Sequence, residues 1–290
     1  MGAIAVHGHP CFDESAHNSV GRMHISVAPA CNIKCRYCHR KIGSSENRPG
    51  VAYKILGSLE ALEMVAKVVT MDKSIQVIGV AGPGDALANK ATFESFKLIH
   101  ERFPDLKKCI STNGLRLAEM VDELVSVGVS TISVTVNAVK PEVGRQFYKR
   151  VYLDGRIHRE DAFDVLSERQ IKGIKAAAKK GLAVKVNTVL VPEINAGHIE
   201  ELAQAMSKAG AYIMNIMPLM PIGEMGTYRA PTCLDLEDAR YRAEQHISVF
   251  RLCKQCRADA IGIPGLEHEH GDGGHNQTLS EMLAAVPMYH

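Results

Sequence analysis

The sequence predicts an α/β fold, a partial and open (β/α)6 barrel with N- and C-terminal extensions. Three observations predict it. Short β-like runs alternate with amphipathic helical runs six times. Glycine and proline punctuate the joins. Polar residues gather just after the β-like runs, where barrels of this kind build their sites.

The β-like runs are Met23–Ala28, Ser74–Val80, Lys108–Ser111, Thr131–Val136, Ala183–Leu190 and Tyr212–Met217. Each is rich in Val, Ile or Met, and several alternate with period two. Between them, Tyr53–Val69, Ala91–Glu101, Leu115–Val127, Asp161–Lys180 and His198–Ala209 carry helical patterns. Pro104, Gly128, Gly181 and Gly210 mark helix ends. Six units are two short of a closed eight-stranded barrel, so we expect an open one. The barrel is expected over 23–221, an N-terminal extension over 1–22 and a C-terminal extension over 222–290. A further helical run, Asp235–Phe250, falls in the last part. The Gly- and His-rich stretch GLEHEHGDGGHNQT is expected to be mobile.

Composition narrows the class. The 290 residues carry a net charge of +2 with both signs interspersed, which is no electrostatic footprint for nucleic acid. The longest uncharged stretch, Leu124 to Val139, is too short and too polar to span a bilayer. The N-terminus lacks a basic region followed by an apolar run, and no Ser or Thr stands at the myristoylation position. A cytoplasmic location is expected, with no membrane and no nucleic-acid partner. Eight cysteines in a reducing compartment point to metal or redox chemistry rather than a disulfide framework.

Cys31, Cys35 and Cys38 form a C-x3-C-x2-C loop directly after the first β-like run. Three thiolates so spaced wrap one face of a cubane cluster and leave its fourth iron open to a small chelating substrate. A zinc loop is the alternative for the spacing alone. Cys253 and Cys256 form a second pair, flanked by Arg251, Lys254 and Arg257, whose charge favours thiolates. An iron site, a zinc site and a redox disulfide are all open for that pair. Cys11 can add a third thiolate from the other terminus. Cys109 lies on the third strand, and His24 on the first, where a lone histidine is ordinarily a satisfied core group. Gly82-Pro83-Gly84-Asp85 follows the second strand, and Ser111-Thr112-Asn113-Gly114 the third. Asn137, Asn187 and Asn215 stand at or near the last three strand ends, to bind polar groups of a cofactor or to cap loops.

The cysteine loop, with Tyr37 before its last cysteine, resembles that of the radical S-adenosylmethionine (SAM) superfamily. The resemblance implies a [4Fe–4S] cluster on Cys31, Cys35 and Cys38 that cleaves SAM reductively to a 5′-deoxyadenosyl radical. The turn after the second strand matches loosely the Gly-Gly-Glu-Pro-like turn of that superfamily. The candidate SAM contacts are Tyr37, Ala81, Gly82, Asp85, Thr112, Asn113, Asn137, Asn187 and Met217.

Longer motifs narrow the resemblance. HPCFDESAHNSVGRMHISVAPACNIKCRYCHRK, ENRPGV, GPGDALAN, STNGL and CKQCRADAIG, spread from about residue 9 to residue 264, closely resemble the NifB family of nitrogenase-cofactor maturases. The resemblance implies that two further [4Fe–4S] clusters are substrates, fused around a SAM-derived carbide into an eight-iron precursor. Carried over by position, Cys11, Cys253 and Cys256 would hold one substrate cluster, and His24 and Cys109 the other. It also implies an Fe–S cluster donor, an electron donor such as ferredoxin, and a separate cofactor carrier as partners. Three departures stand out. The loop Ile42-Gly43-Ser44-Ser45-Glu46 lacks the cysteine of many members, leaving Glu46 as a possible oxygen ligand. His39 stands where an Asn is typical. A chain ending at His290 leaves no room for the C-terminal carrier domain of many members, so a stand-alone core is expected. Two rivals accompany this reading: another radical SAM maturase or peptide-modifying enzyme with one auxiliary cluster, and a non-catalytic iron–sulfur scaffold.

Overall fold

A computed structural model describes residues 6–266 and 277–278; most of the Gly- and His-rich stretch expected to be mobile lies outside the described residues. The strands in chain order are β1 (Gly21–His24), β2 (Ile33–Cys35), β3 (Lys41–Ile42), β4 (Val51–Ala52), β5 (Ile75–Val80), β6 (Lys107–Thr112) and β7 (Val129–Thr135). They continue with β8 (Tyr148–Leu153), β9 (Arg156–His158), β10 (Ala183–Leu190), β11 (Ile213–Pro218), β12 (Ala260–Gly262) and β13 (Gln277–Thr278).

Six of these form the expected open barrel, in the order β11-β10-β7-β6-β5-β1, all neighbours parallel. The order follows from the sequence: each strand lies beside the next, because each helical run returns the chain to the same end of the sheet. The edge at β1 is covered by β12, which pairs antiparallel with it (Arg22 opposite Gly262), and β12 pairs with β13. The C-terminal extension is thereby part of the same sheet.

The helices bury one stripe each. Leu117–Ser126 buries Leu117, Val121 and Leu124; Ile199–Lys208 buries Ile199, Leu202, Ala203 and Met206. Those spacings place the apolar groups on one face. They pack on the outer face of the sheet with Ile78, Ile110, Ile132, Val134, Val184 and Val186. Among the described residues no helix is long and apolar enough to cross a membrane.

Two helices differ from expectation. The run expected from Tyr53 becomes helical only at Ser58 and extends to Met71. Ahead of it, the Tyr53 amide donates to the Asp259 carboxylate and the Leu56 amide to the Ser26 carbonyl. The run expected over Asp235–Phe250 is helical over Cys233–Glu244 and ends there. Its apolar end, Ile247 to Phe250, turns back along the sheet, where the Met214 amide donates to the Ser248 carbonyl (2.9 Å) and the Phe250 amide donates to the Met214 carbonyl (2.8 Å). The hairpin of β8 and β9 was not expected. It pairs with β2 and so forms a small second sheet, β2-β8-β9.

Candidate metal and cofactor site

A cavity of about 300 Å³ opens inside the barrel. Seven cysteines, Cys11, Cys31, Cys35, Cys38, Cys109, Cys253 and Cys256, line it together with His24. The eighth, Cys233, is exposed at the start of its helix and stands outside the lining.

The Cys31–Cys38 loop is held from two sides. On one, the Gly84 amide donates to the Ala28 carbonyl (2.7 Å) and the Asp85 amide to the Ala30 carbonyl (2.8 Å). A Cβ at Gly84 would stand 2.1 Å from the Ala30 oxygen, so this close approach of backbone to backbone requires glycine. On the other side β2 pairs with β8, the Arg36 amide donates to Phe147 (2.9 Å), and the Tyr152 amide donates to Asn32 (2.7 Å).

His24 and Cys109 meet through register. His24 on β1 stands opposite Gly79 on β5, and Gly79 opposite Cys109 on β6. The middle residue has no side chain, so the two flanking groups lean over it. A Cβ at Gly79 would meet the Cys109 sulfur at 2.8 Å and the His24 ring at 3.1 Å. His24 Nδ1 lies 2.9 Å from the Arg257 carbonyl, which can only accept, so Nδ1 carries the proton and Nε2 keeps its lone pair. Burial, reinforced by Arg22, lowers the His24 pKa to about 4, so the ring is neutral.

Cys11, Cys253 and Cys256 reach the cavity from the two ends of the chain. Lys185 on β10 donates to the Cys11 carbonyl (2.8 Å) and lies over the Phe12 and Phe250 rings. Buried Arg22 donates to the Cys256 sulfur (2.9 Å) and to the Gly262 carbonyl (2.6 Å). A buried ion pair of Arg257 with Asp259 (2.8 Å), and an Arg257 bond to the Glu46 carbonyl, hold the segment after Cys256.

Of the candidate SAM contacts, Tyr37, Ala81, Asp85, Thr112, Asn113, Asn187 and Met217 line the same cavity. Gly82 and Asn137 stand outside that lining. Asn137 is buried and donates to the Tyr37 and Tyr148 hydroxyls (3.1 and 3.2 Å), so it orients Tyr37 rather than facing the space. Asn215 donates to the Asn187 side chain (3.0 Å). Asp85 accepts from the Thr112 hydroxyl and from the Asn113 and Leu87 amides, while burial holds its pKa above the usual carboxylate range. Glu46 also stands outside the lining; its exposed carboxylate pairs with Lys41 and Arg48.

Sequence reading gave no role to Arg22, Lys185, His9 or Tyr148. His9 lines the cavity, 1% exposed, with Nδ1 accepting from the Cys11 amide (3.1 Å) and Nε2 without a hydrogen-bond partner. Its burial beside Lys185 lowers its pKa to about 3. The neighbouring Pro-Cys was the available signal.

The Radical SAM superfamily model matches residues 25–206. The FeMo cofactor biosynthesis protein NifB of Methanocaldococcus jannaschii is 46% identical over 258 residues, spanning 88% of this chain and 86% of that protein. The chain belongs to the NifB family. It also matches NifB of Bradyrhizobium diazoefficiens at 41% identity over 90% of its own length, but spans only 54% of that longer protein. The crystal structure of Streptococcus suis SuiB shares the fold, with a TM-score of 0.57 at 14% identity over 81% of this chain and 50% of that one.

As a NifB-family radical SAM enzyme, the chain has a fold that binds SAM and a family in which a [4Fe–4S] cluster is typical. Its residues fit that group. The Cys31, Cys35 and Cys38 thiols line one cavity, beside which Asn113 donates to the Asn32 side chain (2.7 Å). Burial pushes the Cys31 thiol up to about 11 and Cys109 to about 12, and raises Cys35, Cys38 and Cys11. Left alone, these thiols stay protonated; a bound iron supplies the positive charge that makes a buried thiolate stable.

Proposed function

We propose that this enzyme builds the eight-iron core of the nitrogenase cofactor from two [4Fe–4S] substrate clusters and a carbide derived from SAM. One observation carries the proposal: five further soft or imidazole donors, Cys11, His24, Cys109, Cys253 and Cys256, share one cavity with the Cys31–Cys38 loop. Five such donors are more than one auxiliary cubane, with its four irons, can take.

In this reading Cys31, Cys35 and Cys38 hold the cluster that supplies the electron for SAM cleavage. Asp85, Thr112 and Asn113 form a hydrogen-bonded set at the ends of β5 and β6 that shapes the SAM pocket. Cys11, Cys253 and Cys256 hold one substrate cluster, with Arg22 offsetting the charge of its thiolates. His24 and Cys109 hold the other, with the Arg257 carbonyl fixing the imidazole tautomer. Glu46 belongs to this site only if its loop moves, since Lys41 and Arg48 now engage it. One SAM gives its methyl group to a substrate sulfide and leaves as S-adenosylhomocysteine. A second yields the radical that takes hydrogen from that methyl and leaves as 5′-deoxyadenosine. A cluster donor, an electron donor and a separate carrier for the product complete the scheme.

The test uses SAM deuterated in the methyl group, with anaerobically reconstituted protein and no added substrate. S-adenosylhomocysteine and deuterated 5′-deoxyadenosine are expected together, with iron well above four per chain, the content of one cubane. Cys253→Ser/Cys256→Ser should lose the deuterium transfer while SAM cleavage persists. Undeuterated 5′-deoxyadenosine with no S-adenosylhomocysteine in the wild type would overturn the proposal in favour of a peptide-modifying enzyme. Absence of any SAM cleavage would favour a scaffold.

A further inference from the structure

The β2-β8-β9 ribbon has two faces of different character. Ile33 and Val151 are opposite one another and buried; Tyr148, opposite Cys35, is buried too and lines the cavity. On the opposite face Lys34 pairs with Arg150, and Tyr152 with Ile157. Tyr152 is 55% exposed and Ile157 51%, although both are large and apolar. Lys149 and Arg150 beside them are exposed as well, while Arg156, opposite Leu153, belongs to the other face. The adjoining loop 31–48 carries Lys34, Arg36, Arg40 and Lys41 at least partly exposed, while a fifth cation, Arg48, is buried; its one carboxylate, Glu46, pairs with Lys41 and Arg48. The whole chain has a net charge of only +2, so positive charge is concentrated at this place. Among the carboxylates facing it, Glu224 reaches Arg36 and Lys149 (both 2.9 Å). Asp154 lies in the turn of the hairpin, and Arg169 of the neighbouring helix stands 3.9 Å from it.

We propose that this face is the docking surface for a small acidic one-electron carrier protein. The proposal rests on the reading that Cys31, Cys35 and Cys38 hold a redox cluster. Two properties favour such a partner over other occupants. A cross-strand apolar pair ringed by cations offers a dry contact with electrostatic steering toward negative charge. And the surface is the back of the strand that carries Cys35, so a single β-layer separates a docked carrier from a cluster ligand. Lys34 spans the two roles, since its ammonium donates to the Cys38 carbonyl (3.1 Å) at the edge of the loop.

The test measures reduction of the reconstituted full-length protein under two donors: a reduced acidic [4Fe–4S] ferredoxin, and dithionite. Arg150→Glu reverses one exposed charge that touches no ligand of the cluster. With ferredoxin its rate should fall about tenfold or more at low salt, and the wild-type rate should fall as ionic strength rises from about 0.01 to about 0.2 M. Tyr152→Ser/Ile157→Ser should slow ferredoxin reduction without changing the salt dependence. All three proteins should be reduced by dithionite at the same rate, with equal iron content, which also shows that the variants fold. Unchanged ferredoxin rates in both variants would overturn the docking surface and leave the cluster intact. If dithionite reduces no cluster in the wild type, the cluster reading falls, and the docking proposal with it.

Discussion

Gly79→Ala is the smallest change that tests the pairing of His24 with Cys109. The added carbon would lie 2.8 Å from the Cys109 sulfur and 3.1 Å from His24 Cδ2, both well inside van der Waals contact. Relief is blocked on three sides. Gly79 is on a central strand, paired to β1 and β6, so its backbone cannot retreat. The His24 ring is tied to the Arg257 carbonyl. The Cys109 side chain packs against Ala16, Val20 and Val77. Overpacking of this kind costs about 1–3 kcal/mol. For a chain of this size that lowers the melting temperature of the apoprotein by roughly 2–5 °C. The larger effect falls on metal binding: with the two donors pushed apart, nitrogen coupling from the His24 imidazole should vanish from the pulsed EPR spectrum of the reconstituted protein, while SAM cleavage continues. Gly197→Ala, where an added carbon meets nothing within 4 Å, is the control and should melt like wild type. A Gly79→Ala protein with unaltered nitrogen coupling and full iron content would refute the reasoning.

Three further outcomes are expected. Cys31→Ser, Cys35→Ser and Cys38→Ser should each abolish dithionite-dependent 5′-deoxyadenosine formation, measured by chromatography, while the fold, measured by circular dichroism, survives. Asp85→Ala strands the Thr112 hydroxyl and the Asn113 and Leu87 amides, so denaturant unfolding should show a loss on the order of 3 kcal/mol; SAM should bind more weakly in the same variant, by calorimetry. Burial lowers the Lys108 pKa from 10.5 to about 8, so below pH 8 the fold carries the full penalty of a buried cation, and the penalty fades as pH rises toward 10.5. Lys108→Met loses the Lys108 bonds to His100, Phe103 and Pro104, but its melting temperature relative to wild type should fall as pH rises from about 8 to about 10; a difference that stays constant with pH would contradict the assignment.

Much of this architecture could be read from the sequence because the barrel is made of local signals. Ala183–Leu190 alternates and is apolar enough to be recognised without its partners, and its bounds agree with the strand. The cysteine spacing in Cys31–Cys38 is equally local. The β8–β9 hairpin was missed for the opposite reason. Its outer face, Arg150 and Tyr152, is exposed, so its one-sided burial of Tyr148 and Val151 leaves only two apolar positions to signal a strand. The early end of the helix after Thr232 was hidden because Ile247 and Phe250 fit a helical period, while their burial is against the sheet edge around Met214. Nothing in the sequence marks Arg22 or His9 as buried; the burial of Arg22 depends on partners more than two hundred residues away, Gly262 and Cys256.

The cavity borrows from both ends of the chain, and this has a consequence for how the protein is made. Cys31, Cys35 and Cys38 need only β1, the turn at Gly84 and the β8 strand, all within the first 153 residues. The wall that contains Cys253 and Cys256 cannot form until β12 has emerged and paired with β1. At about 5–20 residues per second, roughly 5–20 s of synthesis separates those two moments. A nascent chain paused after β8 would already present the first trio of thiols, with the N-terminal Cys11 still awaiting its partners. The site that includes Cys253 and Cys256 is therefore completed last, whereas His24 and Cys109, on β1 and β6, come together with the first trio.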